Sequence, residues 1–130
     1  MSNEVGQFWV LFGGHANGPN QIKVARFNSE TGSISTPEPM VSTPNPGYFV
    51  LTPDARFLYT CNQVDGYEPG VSGGISAFAF DDRTGHLTPL NSVSSHGIDP
   101  SHLAFDLSYV AGLATPHTEI VHTPFKYDSD

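Results

Sequence analysis

The chain has 130 residues, of which 38% are hydrophobic and 14% charged, enough apolar material for one ordinary domain core. Eleven Pro and 13 Gly indicate many short elements joined by tight turns, which favours an all-β chain over one of long surface helices. The net charge of −8 is opposed only by Lys23, Arg26, Arg56, Arg83 and Lys126, so no basic stripe is available to neutralise a phosphate backbone and nucleic-acid binding is not expected.

The first apolar run, Phe8-Trp-Val-Leu-Phe12, is too short for a signal core or a membrane span, and no basic residues precede it. The expectation is a soluble, unprocessed chain without a membrane partner. In chain order, strand-like runs rich in β-branched and aromatic residues fall at about 7–13, 21–28, 33–36, 47–52, 56–62, 74–80 and 86–93, with another beginning near 101. Asn28-Ser-Glu-Thr-Gly32 and Asp81-Asp-Arg-Thr-Gly85 separate pairs of these runs. Each offers an Asx residue to open a turn and a Gly to accept positive φ, the chemistry of a short hairpin loop. Thr52-Pro53-Asp54-Ala55 reads as a third hairpin turn, with Pro where its fixed φ is useful.

Ile22 to Ile34 aligns with Ile75 to Leu87, a shift of 53, and Asn45-Pro46-Gly-Tyr-Phe49 aligns with Asp99-Pro100-Ser-His-Leu103, a shift of 54. Self-similarity at such a period signals a structural unit stacked on copies of itself. Each unit has four antiparallel strands, inner (Gly47 to Thr52), second (Arg56 to Asn62), third (Gly74 to Phe80) and outer (His86 to Val93), which is the blade of a β-propeller. By this reading residues 1–106 hold propeller blades. Residues 7–36 give a blade without an inner strand, 46–93 a complete blade, and 100–106 the start of the next. That amounts to two to two and a half blades. After Asp106 the turn and the alternation are lost, and 107–130 is expected to be a divergent, poorly ordered tail.

The segments Pro46 to Asn62, Gly73 to Leu90 and Asp99 to Asp106 together resemble the seven-bladed propeller lactonases, a family that includes 6-phosphogluconolactonases and carboxy-muconate lactonising enzymes. The resemblance covers about residues 7–106 and implies a truncated member of that family. Its parent activity would be lactone hydrolysis in carbohydrate metabolism on a small lactone or sugar-acid substrate, with carboxy-cis,cis-muconate cyclisation as the alternative. An alternative of another class is a non-catalytic binding or defective propeller piece that self-associates through open blade edges.

Lactone hydrolysis needs a base for water and donors for the developing oxyanion, and a phosphorylated substrate adds an Arg or Lys clamp. His102, on the inner strand that starts at Pro100, is the candidate catalytic residue, with a structural histidine satisfied by neighbouring backbone as the competing reading. His15, in the Gly13-Gly-His-Ala-Asn-Gly18 loop, is a candidate substrate-binding residue at a channel mouth. His117, Glu119 and His122 have metal-ligand spacing on neither a helix nor a strand, and neither Gly-rich stretch has nucleotide-loop spacing, so no metal and no cofactor are expected. Cys61, the lone cysteine, reads as a buried small hydrophobe rather than a nucleophile. A single Cys and no Asn-x-Ser/Thr acceptor point to the cytoplasm.

Overall fold

The computed structural model describes residues 5–14, 20–64, 72–106 and 119–124, with side chains through residue 104. All of its regular elements are strands: β1 (Gln7–Phe12), β2 (Gln21–Asn28), β3 (Ser33–Ile34), β4 (Glu38–Ser42), β5 (Pro46–Leu51), β6 (Phe57–Asn62), β7 (Gly74–Phe80), β8 (Leu87–Ser94), β9 (Pro100–Asp106) and β10 (Glu119–Pro124). They form three antiparallel sheets. One is β5-β6-β7-β8, one is β1-β2 with β3 and β4 both on β2, and one is the pair β9-β10.

The complete blade has the four strands in the order that the repeat predicts. In the first blade β1 is an edge strand and no inner strand pairs with it among the described residues. Its outer strand was expected as a single run at 33–36, but it comes in two pieces on either side of Pro37. Proline has no N–H to give a ladder, so pairing lapses there, and it resumes where Glu38 faces Val24. In the tail, residues 107–118 and 125–130 lie outside the described residues. Glu119–Pro124, where no strand was assigned from the pattern, pairs antiparallel with β9 in the place of a second strand.

The repeated turns are the same object in detail. Asn28 Oδ1 accepts the Glu30 N–H at 2.9 Å, and Asp81 Oδ1 accepts the Arg83 N–H at 2.9 Å. Each loop then closes on its Gly, with the Gly32 N–H reaching the Asn28 carbonyl at 2.8 Å and the Gly85 N–H reaching the Asp81 carbonyl at 2.7 Å. Both glycines take positive φ, +72° and +79°. The Arg83 N–H foremost, with the Arg83 charge adding to it, holds the Asp81 carboxyl below the usual carboxylate range. At the third turn the Thr52 hydroxyl donates to Asp54 Oδ1 at 2.6 Å and does the same to the Asp54 carboxyl.

The period of two along each strand divides the side chains between two cores. Leu58, Phe78, Phe80 and Leu87 of the complete blade meet Ile22 and Val24 of the first, with Trp9, Leu11, Met40 and Phe49 closing the cluster. On the opposite face Cys61 and Ile75, with Val50 and Tyr59, meet Leu103 of β9. Each sheet is therefore buried by its neighbours on both sides, as stacked repeats require. Two further contacts join the first two blades. The Trp9 indole N–H donates to the Asp82 carbonyl at 2.7 Å while its ring meets Phe80 edge-on. The hydroxyl of Thr43 and the amide of Asn62, both buried, bond at 2.8 Å, and the Asn62 carbonyl oxygen accepts from Ser76 at 2.6 Å.

The two equivalent glycines differ in their surroundings. A Cβ at Gly32 would meet open space, whereas one at Gly85 would lie 2.7 Å from the Trp9 ring. Gly32→Ala should therefore cost about 1–2 kcal/mol, the price of left-handed backbone alone. Gly85→Ala should cost about 3 kcal/mol or more, because overpacking against an anchored indole is added. Urea unfolding of the two variants measures the difference, and equal losses would mean that Trp9 does not seat on that turn.

Candidate functional site

In a closed propeller the first strand of every blade lines the central channel, so the candidate site is built on β5 and β9. Both begin in the same way. Asn45 and Asp99 take positive φ, +35° and +49°, directly before Pro46 and Pro100, which are among the most completely buried residues of the chain. Asn and Asp tolerate this conformation better than other residues with a Cβ, and the proline that follows fixes the strand's first φ. The start of β5 is then clasped to the end of β6. The Gln63 N–H donates to the Asn45 carbonyl and the Asn45 side-chain amide donates to the Gln63 carbonyl, each at 3.0 Å. The buried Thr60 hydroxyl donates to the Tyr48 carbonyl at 2.9 Å. Gly13, just after β1, comes so close to β5 that a Cβ there would run into the Pro46 carbonyl and the Phe49 ring.

This framework brings Tyr48 of β5 and His102 of β9 together. Their ring centroids are 4.5 Å apart with planes at 40°, an offset aromatic contact. The His102 imidazole is exposed, and among the described residues it makes no hydrogen bond to neighbouring backbone. Tyr48 is 36% exposed beside it. The pair thus presents a titratable nitrogen base and a phenol at the mouth of one inner-strand seam. Tyr48 was not singled out from the sequence, yet a signal for it existed: the 54-residue shift aligns Tyr48 with His102. Equivalent residues on the inner strands of adjacent blades are brought side by side by the rotation that relates the blades. His15 lies outside the described residues.

The cations are engaged elsewhere. Arg26 of β2 stacks over Trp9 at 4.7 Å, Arg56 over Phe57 at 5.6 Å, and Arg83 pairs with Asp81 at 3.6 Å on the exposed hairpin. Lys23 is in the middle of β2, between Phe12 and Pro39. None of the four is on an inner strand, so among the described residues no phosphate clamp faces Tyr48 and His102. His122 is placed on β10 opposite Leu103, and His117 lies outside the described residues.

Comparison with known proteins places these features in a family. Residues 10–114 match the model of the lactonase, 7-bladed beta-propeller family. The chain belongs to the seven-bladed β-propeller lactonases. Among its relatives, a 6-phosphogluconolactonase of Bacillus subtilis (strain 168) is 28% identical over 89 residues, 68% of this chain and 24% of that protein. The crystal structure of a putative 6-phosphogluconolactonase from Bacteroides fragilis superposes with a TM-score of 0.68 at 31% identity, covering 80% of this chain and 28% of the other. A periplasmic gluconolactonase of Pseudomonas aeruginosa shares the fold, with a TM-score of 0.65 at 24% identity over 94% of this chain and 36% of its own. The chain therefore spans about a quarter to a third of the length of these relatives.

Cys61 is fully buried between the complete blade and β9, and desolvation pushes its thiol up to about 11. Its folded pKa is above its unfolded one, so the folded state holds the proton more tightly. Its contribution to stability is intact below the unfolded value and is lost as pH rises from about 9 towards 11, by up to about 3 kcal/mol. Iodoacetamide at pH 7.5 should leave the native thiol unmodified and label it fully in urea. The Tm of the wild type should fall between pH 9 and 11 more than that of Cys61→Ala, and parallel curves would contradict the buried-thiol assignment.

Proposed function

We propose that this chain contributes an inner-strand wall of a lactone-hydrolysing site, with hydrolysis of 6-phosphogluconolactone in carbohydrate metabolism as its reaction. The observation that carries this reading is the exposed His102 imidazole, free of backbone hydrogen bonds and held against Tyr48 on adjoining inner strands. In this reaction His102 removes a proton from water as the water oxygen adds to the lactone carbonyl carbon. The oxyanion then collapses, the ring C–O bond breaks, and the imidazolium returns the proton to the departing ring oxygen, giving the hydroxy acid. Tyr48 provides a flat wall for the sugar ring. Recognition of the phosphate falls to groups other than Lys23, Arg26, Arg56 and Arg83, whose partners are on the outer strands and turns. The relatives named as 6-phosphogluconolactonase favour hydrolysis over cyclisation of a carboxy-muconate. A cytoplasmic setting accords with the lone free thiol.

A second reading has its own observation. Phe8 and Ile34 of the first blade are 56% and 52% exposed, and Phe12 is exposed with them, an apolar surface that a non-catalytic piece would cover by self-association.

Hydrolysis of 6-phosphogluconolactone to 6-phosphogluconate, corrected for the spontaneous rate, separates the readings. His102→Ala should lower the enzymatic rate about 100-fold or more, while Tyr48→Phe keeps most of it. A His102→Ala variant as fast as the parent would remove His102 from the reaction. A parent chain with no turnover above buffer that elutes as a multimer would favour the self-associating, non-catalytic piece.

A further inference from the structure

A second concave region lies away from the inner strands, where the outer strand of the first blade approaches the complete blade. One cleft of about 300 Å³ is lined by Ser42, Thr43 and Pro44 on one side and by β7 and β8 on the other. An adjoining cleft of about 290 Å³ shares those three residues and reaches Asn20. The shared lining makes them one groove.

The polar floor of this groove is organised before any ligand arrives. Thr43 and Ser76, only 6% and 8% exposed, line it and belong to the hydrogen-bonded set centred on Asn62. The Asn62 amide also donates to the Pro44 carbonyl at 2.7 Å, which fixes the rim. Asn20 adds the observation that asks for an occupant: its Oδ1 is buried and accepts no hydrogen bond. A buried acceptor without a donor costs about 1–3 kcal/mol in a folded protein, so a donor brought to that oxygen is favoured.

The opposite wall is apolar. The β7–β8 register passes from Ala77 opposite Asn91 to Phe78 opposite Pro89, which leaves Leu90 out of the ladder as a bulge. Leu90 is 52% exposed and lines the groove with Pro89 and Phe78. Bulges of this kind re-aim side chains beside binding sites. No Asp, Glu, Lys or Arg is among the residues lining either cleft.

We propose that this groove binds a neutral polyhydroxy compound, a monosaccharide or a polyol of similar size. Its hydroxyls supply the donor that Asn20 lacks and reach the Thr43 and Ser76 hydroxyls, and its C–H face rests on Pro89 and Leu90. An uncharged lining disfavours a phosphorylated or carboxylated ligand, which would lose its hydration without a counter-charge. A cleft of this volume is at the lower end of small-molecule sites and suits one ring rather than a chain of them. The site is independent of the lactonase reading, since it shares no residue with Tyr48 and His102.

Titration of the 130-residue chain with D-glucose, followed by amide ¹H–¹⁵N shifts, tests it. Saturable shifts at Ser42, Thr43, Ser76 and Asn91 are expected, with half-saturation at about 1–10 mM. Asn20→Ala and the surface variant Asn91→Ala should each weaken binding about three- to ten-fold. Glucose 6-phosphate should produce weaker shifts at the same amides. Linear, unsaturable drift with glucose, shifts confined to Tyr48 and His102, or undiminished binding in Asn91→Ala would each overturn the proposal, and the last remains readable if Asn20→Ala does not fold.

Discussion

The burial of one face of each four-stranded sheet against the next is the constraint from which the rest of the molecule follows. Ile22 and Val24 of the first blade have no water-free surroundings within their own sheet. They find them against Leu58, Phe78, Phe80 and Leu87. Fully burying each such side chain contributes about 1.5–3 kcal/mol, so this seam outweighs any single turn or hydrogen bond. Hydrophobic contact alone does not choose a register, however. The Trp9 indole bonded to the Asp82 carbonyl and the Thr43–Asn62–Ser76 set supply directional contacts at two separate places along the same seam. Buried polar groups that are fully paired are costly to misplace, so such contacts penalise slipped packings.

The inner-strand site inherits its geometry from this seam. Gly13 permits β1 to press on Pro46 and Phe49, the positive-φ residues Asn45 and Asp99 aim each chain into an inner strand, and Leu103 seats β9 on Cys61 and Ile75. Only after these contacts are made do Tyr48 and His102 meet at 4.5 Å. The chemistry of the family is thereby attached to positions whose neighbours are largely structural, as in folds where function is placed on a rigid repeat. The cations illustrate the division: Arg26 and Arg83 serve the seam and the hairpin, not the channel wall.

Much of the fold was legible in the sequence because the repeat has period, turn chemistry and alternation in agreement. Asn28-to-Gly32 and Asp81-to-Gly85 named the same hairpin twice, and the inner strand at 100–106 appears with the bounds read from the pattern. What escaped was set by contacts between segments far apart in the chain. The outer strand of the first blade continues beyond Pro37 because β2 offers Gln21 to Val24 as a template, which local propensity does not register. Strand β10 forms on β9 although no copy of the repeat covers it. Tyr48 was hidden because its importance comes from His102 across the blade boundary, and Asn62 because a single Asn at the end of a strand resembles a turn residue until its buried partners are seen.

The central claim is that the first blade and the complete blade form one cooperative unit through their shared core. Native-state amide hydrogen exchange measures this directly, since opening free energies report which elements unfold together. The amides of Ile22 and Val24 in β2 should exchange with the same free energy as those of Leu58 in β6 and Phe78 in β7, and all four should respond equally to added denaturant. Exchange of the β2 amides at near-unfolded rates while β6 and β7 remain protected would show two independent sheets and contradict the account.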